Sequence, residues 1–168
     1  LIIFFGILFI FGWQLSRFIL NERRIEALIP LSAIVGSGLY LFLLNATSYF
    51  IKIQINFYLV LFVLGICALF LFRLNKKEEK AEWGINKKWR KILFGTMFLI
   101  MVSVGIIGVR TIDERFPNHL AAGTTIAEGN FPVRDVLAPI FFSQDHYSYN
   151  LFSAAIFKIT NLPVWFGL

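Results

Sequence analysis

Only 15% of the 168 residues are charged, and the chain has one cysteine, two histidines and two methionines. The lone Cys67 sits inside an apolar run, which excludes an internal disulfide and a cysteine metal site. The scarcity of charge excludes a disordered chain, and the missing disulfide framework excludes a stapled secreted module. No phosphate-binding glycine loop, nucleophile elbow or paired-cysteine motif is present. What is present is apolar bulk. Hydrophobic residues make up 58% and phenylalanine alone accounts for 20 positions. An ordinary soluble domain is roughly half apolar and about a quarter charged. The composition is that of an integral membrane protein.

A bilayer-crossing helix needs ~20 mostly apolar residues. Four such runs are expected, at 1–20, about 27–49, about 55–72 and about 92–109, with a fifth beginning near Tyr149. The fifth carries Lys158 and Pro163, which suits a re-entrant or interfacial helix. The first run lacks the basic start and small-residue cleavage site of a signal peptide, so it reads as a span. The chain opens inside one apolar run and stops inside another, which reads as the N-terminal portion of a longer protein. Pro30 stands near the start of the second run, where a missing amide proton costs little. Gly36, Gly38, Gly105 and Gly108 suit close helix contact in lipid. The expected fold class is all-α: a polytopic transmembrane bundle of four to five spans with one long extracytoplasmic loop.

The net charge is +6, yet the basic residues gather beside the spans, where they act as topology signals rather than as a nucleic-acid surface. Residues 73–91 hold eight of the sixteen Lys and Arg, and Arg17, Arg23 and Arg24 lie around the first turn. The connection between spans two and three has only Lys52. The positive-inside rule therefore puts residues 73–91 in the cytoplasm and 110–148 outside, in a plasma (inner) membrane. Trp83 and Trp89 fit the interface beside the basic loop. The motif Asn45-Ala46-Thr47 matches a glycosylation acceptor at the end of a span and carries little weight.

The chemistry concentrates in residues 110–148. Five of the ten acids lie here (Asp113, Glu114, Glu128, Asp135 and Asp145), with both histidines, His119 and His146. Long loops between spans usually carry function. A short helix is expected from Pro117 through His119 to Glu128, ended by Gly129. Asp113 and Glu114 follow the fourth span, while Asp145, His146 and Tyr147 precede the last apolar run, so both groups return to the membrane surface. A carboxylate there can deprotonate an acceptor or hold a divalent ion that binds phosphate. Arg110, Arg115 and Arg134 can meet phosphate oxygens. Two histidines lack the further ligands of a zinc site. The plainer reading of the acid pair is a solvated helix end, and that of the arginines is interfacial anchoring.

The pattern D-E-x4-H-L-A-A-x3-I-A-E-G-N-F-P, at Asp113–Pro132, with H-Y-x-Y at His146–Tyr149, resembles the first outer loop of polytopic GT-C-type glycosyltransferases. The likeness covers Arg110 to Leu168. Those enzymes take sugar from a polyprenyl-phosphate carrier at the outer membrane face. The resemblance implies that Asp113 is a base or metal ligand and that Glu114 assists it. Arg115, His119, Asp145, His146 and Tyr147 would then line the substrate pocket, with Mg or Mn as the divalent cation. The partners it implies are the bilayer and a polyprenyl-phosphate-linked sugar, with no nucleic acid. The family's loop follows the first span of its core, whereas here three further spans precede it. A transporter or flippase subunit for a lipid-linked sugar, or a non-catalytic assembly subunit, is the alternative.

Overall fold

The computed structural model describes residues 1–75, 81–110, 116–131 and 148–161. Within them the secondary structure is helical: α1 (Ile2–Leu20), α2 (Ile25–Thr47), α3 (Ile53–Asn75), α4 (Lys87–Arg110), α5 (Phe116–Ala127) and α6 (Ser148–Thr160). Helices α1, α2 and α3 are long and apolar enough to cross a membrane. They are apolar on every side, and much of that surface faces outward: Ile34, Phe42, Phe62 and Leu69 are all exposed. Water does not tolerate an apolar surface of this extent, whereas a lipid tail does. The expectation of four to five spans is thus met for three.

Helices α1 and α2 touch backbone to backbone. A Cβ on Gly12 would overlap the Ser32 carbonyl oxygen, and one on Gly36 would overlap the Leu8 carbonyl. Gly12 on α1 and Ser32-x3-Gly36 on α2 therefore form a small-residue crossing, which lets two helices approach closely in lipid. The Ser32 hydroxyl donates back to the Leu28 carbonyl, so its polarity is absorbed within α2. Gly36 has the packing role expected of it, but Gly38 faces open space. Gly105 and Gly108 belong to α4, where only the backbone course is described at those positions.

Helix α3 packs through side chains instead. Phe57, Val60, Leu61, Leu64, Ala68 and Leu71 recur every three or four residues and are buried. They meet Phe4, Leu8 and Phe11 of α1 and Tyr40 and Leu44 of α2 in one core. The Tyr40 ring stands edge-on to Phe4 at 5.4 Å, and its hydroxyl donates to the Phe57 carbonyl at 3.2 Å. Near the other end of α3, the buried Asn75 amide donates to the carbonyl and the side-chain oxygen of Gln14, at 2.9 and 2.8 Å.

The turn between α1 and α2 is four residues long and closely bonded. Asn21 ends α1 in the left-handed region, with φ 50°. Glu22 accepts from the Arg23 and Arg24 amides at 3.0 and 2.9 Å and from the Arg24 guanidinium. Those bonds, the Arg24 side chain first, hold its carboxyl down at about 2. Helix α2 begins two residues earlier than its apolar run suggested, at Ile25. Pro30 is therefore its sixth residue, inside the helix, where it deletes the amide that would bond the Glu26 carbonyl. The mild cost expected of a first-turn proline does not apply.

Residues 82–84 close this end of the bundle. The Glu82 amide donates to the Arg23 carbonyl and the Ile25 amide donates to the Glu82 carbonyl, both at 3.0 Å. Ile25 opens α2, so this bond satisfies one of the helix's orphan amides. The Gly84 amide adds a bond to the Glu26 carboxylate at 3.2 Å. The α1–α2 turn and residues 82–84 thus share one end, called the basic end below.

Candidate functional site

The far end of the bundle carries α5, which lies within the acid-rich loop, and α6, which follows it. Its base is the hairpin between α2 and α3. The buried Asn56 amide lies 3.1 Å from the Leu44 carbonyl, 2.8 Å from the Thr47 hydroxyl and 2.6 Å from the Ser48 hydroxyl. This network pins the end of α2 to the start of α3. It also occupies Thr47, the third residue of the Asn45 acceptor motif, within the last turn of α2.

Helix α5 attaches to this base through its C-terminal turn. Gly129 closes the helix at φ +113°, a conformation that glycine adopts at no steric cost. The Gln54 side chain donates to the Glu128 carbonyl at 2.9 Å, capping one of the orphan carbonyls of the helix end. Phe131 turns back onto Tyr49, edge-on at 5.2 Å. Ile126 and Ala127 are fully buried. The helix expected over 117–128 coincides with α5, and Gly129 stands where its stop was expected.

Helix α6 lies against α5 and across the far end. Its Phe152 ring meets Phe4 and Phe5 of α1 at 5.9 and 6.1 Å. Its Lys158 carbonyl accepts from the Tyr58 hydroxyl of α3. The six-residue separation of those contacts, about 9 Å along a helix, bridges α1 to α3. Leu151, Ala154, Ala155 and Ile156 join the core, and Asn150 and Ser153 are buried beside them. With 13 residues, α6 is about 20 Å long, short of the ~30 Å hydrocarbon layer. Asn161 ends it in the left-handed region, two residues before Pro163.

Of the site residues read from the sequence, His119 lies in the first turn of α5 as a backbone position. Asp113, Glu114, Arg115, Asp145, His146 and Tyr147 lie outside the described residues, as do Arg134, Asp135, Phe141 and Phe142. In sequence, Asp113 stands three residues ahead of α5, and Asp145 three residues ahead of α6. Among the described residues no three His, Cys, Asp or Glu side chains are grouped to hold a metal ion. Sequence reasoning missed Gln54, Asn56 and Tyr58, which anchor the far end. Their only signal was polarity near the start of an apolar helix, where Asn56 and Gln54 can reach backbone groups of a neighbouring element. Compared with known proteins, the chain matches no family model, no curated protein and no solved structure.

Proposed function

We propose that this chain belongs to a membrane enzyme that transfers a glycosyl group from a polyprenyl-phosphate-linked donor to an acceptor at the outer membrane face. The observation that carries the reading is the joint seat of α5 and α6 on the far end of the bundle, opposite the basic end. Helix α5, within the acid-rich loop, and helix α6, which follows it, are both anchored there, and this shared seat supports the reading. In this reading α4 is a fourth span. Its 24 residues extend about 36 Å, and its apolar stretch at 92–109 separates residues 73–91 from 110–148. Positive-inside orientation then makes the basic end cytoplasmic and the far end extracytoplasmic. The membrane is the plasma (inner) membrane.

Asp113 takes the role of base or metal ligand, with Glu114 in support. Arg115, His119, Asp145, His146 and Tyr147 form the substrate pocket. Mg or Mn, if it is bound at Asp113, would neutralise the donor phosphate. A carboxylate at the lipid–water boundary suits this chemistry because the donor's polyprenyl chain stays in the bilayer while its sugar phosphate is presented outside.

The test is Asp113→Asn in the native protein, assayed in membrane vesicles for transfer from a polyprenyl-phosphate-linked sugar. Transfer should disappear while the amount of folded protein in the membrane is unchanged. Transfer at the parental rate would overturn the assignment. Loops that only dock a partner would tolerate this change. Phe131 is not a clean probe of such docking, because its ring already packs on Tyr49.

A further inference from the structure

The opposite end of the molecule carries a second surface, which the glycosyl-transfer reading does not use. Residues 82–84 are bridged to the α1–α2 turn, and Lys87 opens α4 only three residues later. The first turn of α4 thus follows directly on a segment bonded to the α1–α2 turn. Trp83 reinforces the hold: the Arg90 guanidinium lies over its ring at 4.8 Å, and Phe94 meets it edge-on at 5.7 Å. Arg90 and Trp83 therefore serve the clamp.

The neighbouring cations point outward. Lys87, Lys88 and Lys91 are exposed on α4, and Arg73 is exposed at the end of α3. Trp89 is 58% exposed among them. Two acids at this end have partners: Glu22 is bonded to Arg24 and Glu26 to the Gly84 amide. Directly below the lysines the exposed surface turns apolar, through Ile92, Phe94, Phe98 and Leu99. A row of cations and an indole immediately above an apolar belt matches the headgroup layer of a bilayer, where tryptophan ring and lysine chain each find a wet and a dry side. A nucleic-acid surface would instead project its cations away from the apolar belt.

We infer that the first turn of α4, clamped to the α1–α2 turn by residues 82–84, is a docking site for anionic phospholipid headgroups. Lys87, Lys88 and Lys91 bind the phosphates and Trp89 sits at the headgroup level. The clamp sets the depth at which the lysines meet the membrane.

The test uses the native protein reconstituted in nanodiscs with equal amounts of phosphatidylglycerol and phosphatidylcholine. Retained lipid is read by native mass spectrometry. The parental protein should retain phosphatidylglycerol preferentially. Lys87→Gln/Lys88→Gln/Lys91→Gln should lower that preference at least about tenfold, since each cation near an anionic surface is worth roughly a fivefold change. Glu82→Pro keeps every lysine but deletes the amide that bonds Arg23, and should lower the preference several-fold. The triple variant alters exposed side chains only, so it remains decisive even if Glu82→Pro fails to fold. Equal retention of both lipids by the parental protein, or full preference in the triple variant, would overturn the site. Full preference in a folded Glu82→Pro protein would overturn the clamp. Single-stranded RNA that outcompetes phosphatidylglycerol for the same lysines would reassign the surface to nucleic acid.

Discussion

Helix α1 meets α2 and α3 in different ways. Against α2 it presents backbone: Gly12 meets Ser32 and Gly36, and Leu8 meets Gly36, with no room for one added carbon at either glycine. With α3 it shares a core of side chains, Phe4, Leu8 and Phe11 among them, closed by the Gln14–Asn75 bonds. The difference shows two ways to hold apolar helices together where the surroundings are as apolar as the helices. Burial against lipid brings little hydrophobic gain, so close approach and directed hydrogen bonds carry the association. The backbone contact is rigid and intolerant of any added atom. The side-chain contact has rotamers that can adjust.

That contrast orders the expected effects of substitution. Gly12→Leu should be the most damaging, because the new side chain must displace the α2 backbone rather than a flexible neighbour. A loss of about 3 kcal/mol or more is expected, read as reversible unfolding in mixed micelles. Gly38→Leu, in the same assay, should be near neutral, since nothing stands within 4 Å of that position. Equal losses for the two glycines would remove the distinction between them.

Leu64→Ala should cost less, about 2 kcal/mol, because the seam can close partly and the cavity is surrounded by lipid-like groups. Leu64 is 2% exposed, so the change acts on packing rather than on the lipid-facing surface. Asn75→Leu should cost still less, about 1 kcal/mol, the usual scale of a side-chain hydrogen bond between membrane helices. A loss for Asn75→Leu above that for Leu64→Ala would mean that the polar lock, not the seam, holds α3.

The smallest effect is expected at the turn that joins the two helices. The Glu22 carboxyl is held down at about 2, below its ordinary value of 4.5. A depressed carboxyl stabilises above its unfolded value and loses that contribution as pH falls through the folded one. Amide exchange at Arg23 and Arg24 should therefore accelerate between about pH 4.5 and pH 2, after correction for intrinsic rates. Glu22→Gln should abolish that dependence. Solvent screening at this exposed turn keeps the effect on global stability small.

Much of the architecture was legible in the chain. Three long apolar helices follow from run length alone, since a backbone in hydrocarbon must satisfy its own hydrogen bonds. The course of α5 was legible from Pro117 and Gly129, residues that act locally. Other features were not. Gly12, Gly36 and Gly38 look alike in sequence, yet Gly12 and Gly36 lie on a crossing and Gly38 does not. The candidate pocket was legible only as a concentration of acids, histidines and arginines in one loop.

By itself, then, the sequence determined that the chain is apolar, helical and asymmetric in charge, because hydropathy, run length and local turn chemistry act over a few residues. The tertiary structure decided which glycines touch a neighbour, where Pro30 falls within α2, and that α6 lies across the far end. It also decided that residues 82–84 close the start of α2. Each of these depends on atoms distant in sequence meeting in space, and no local pattern encodes which faces of uniformly apolar helices will meet.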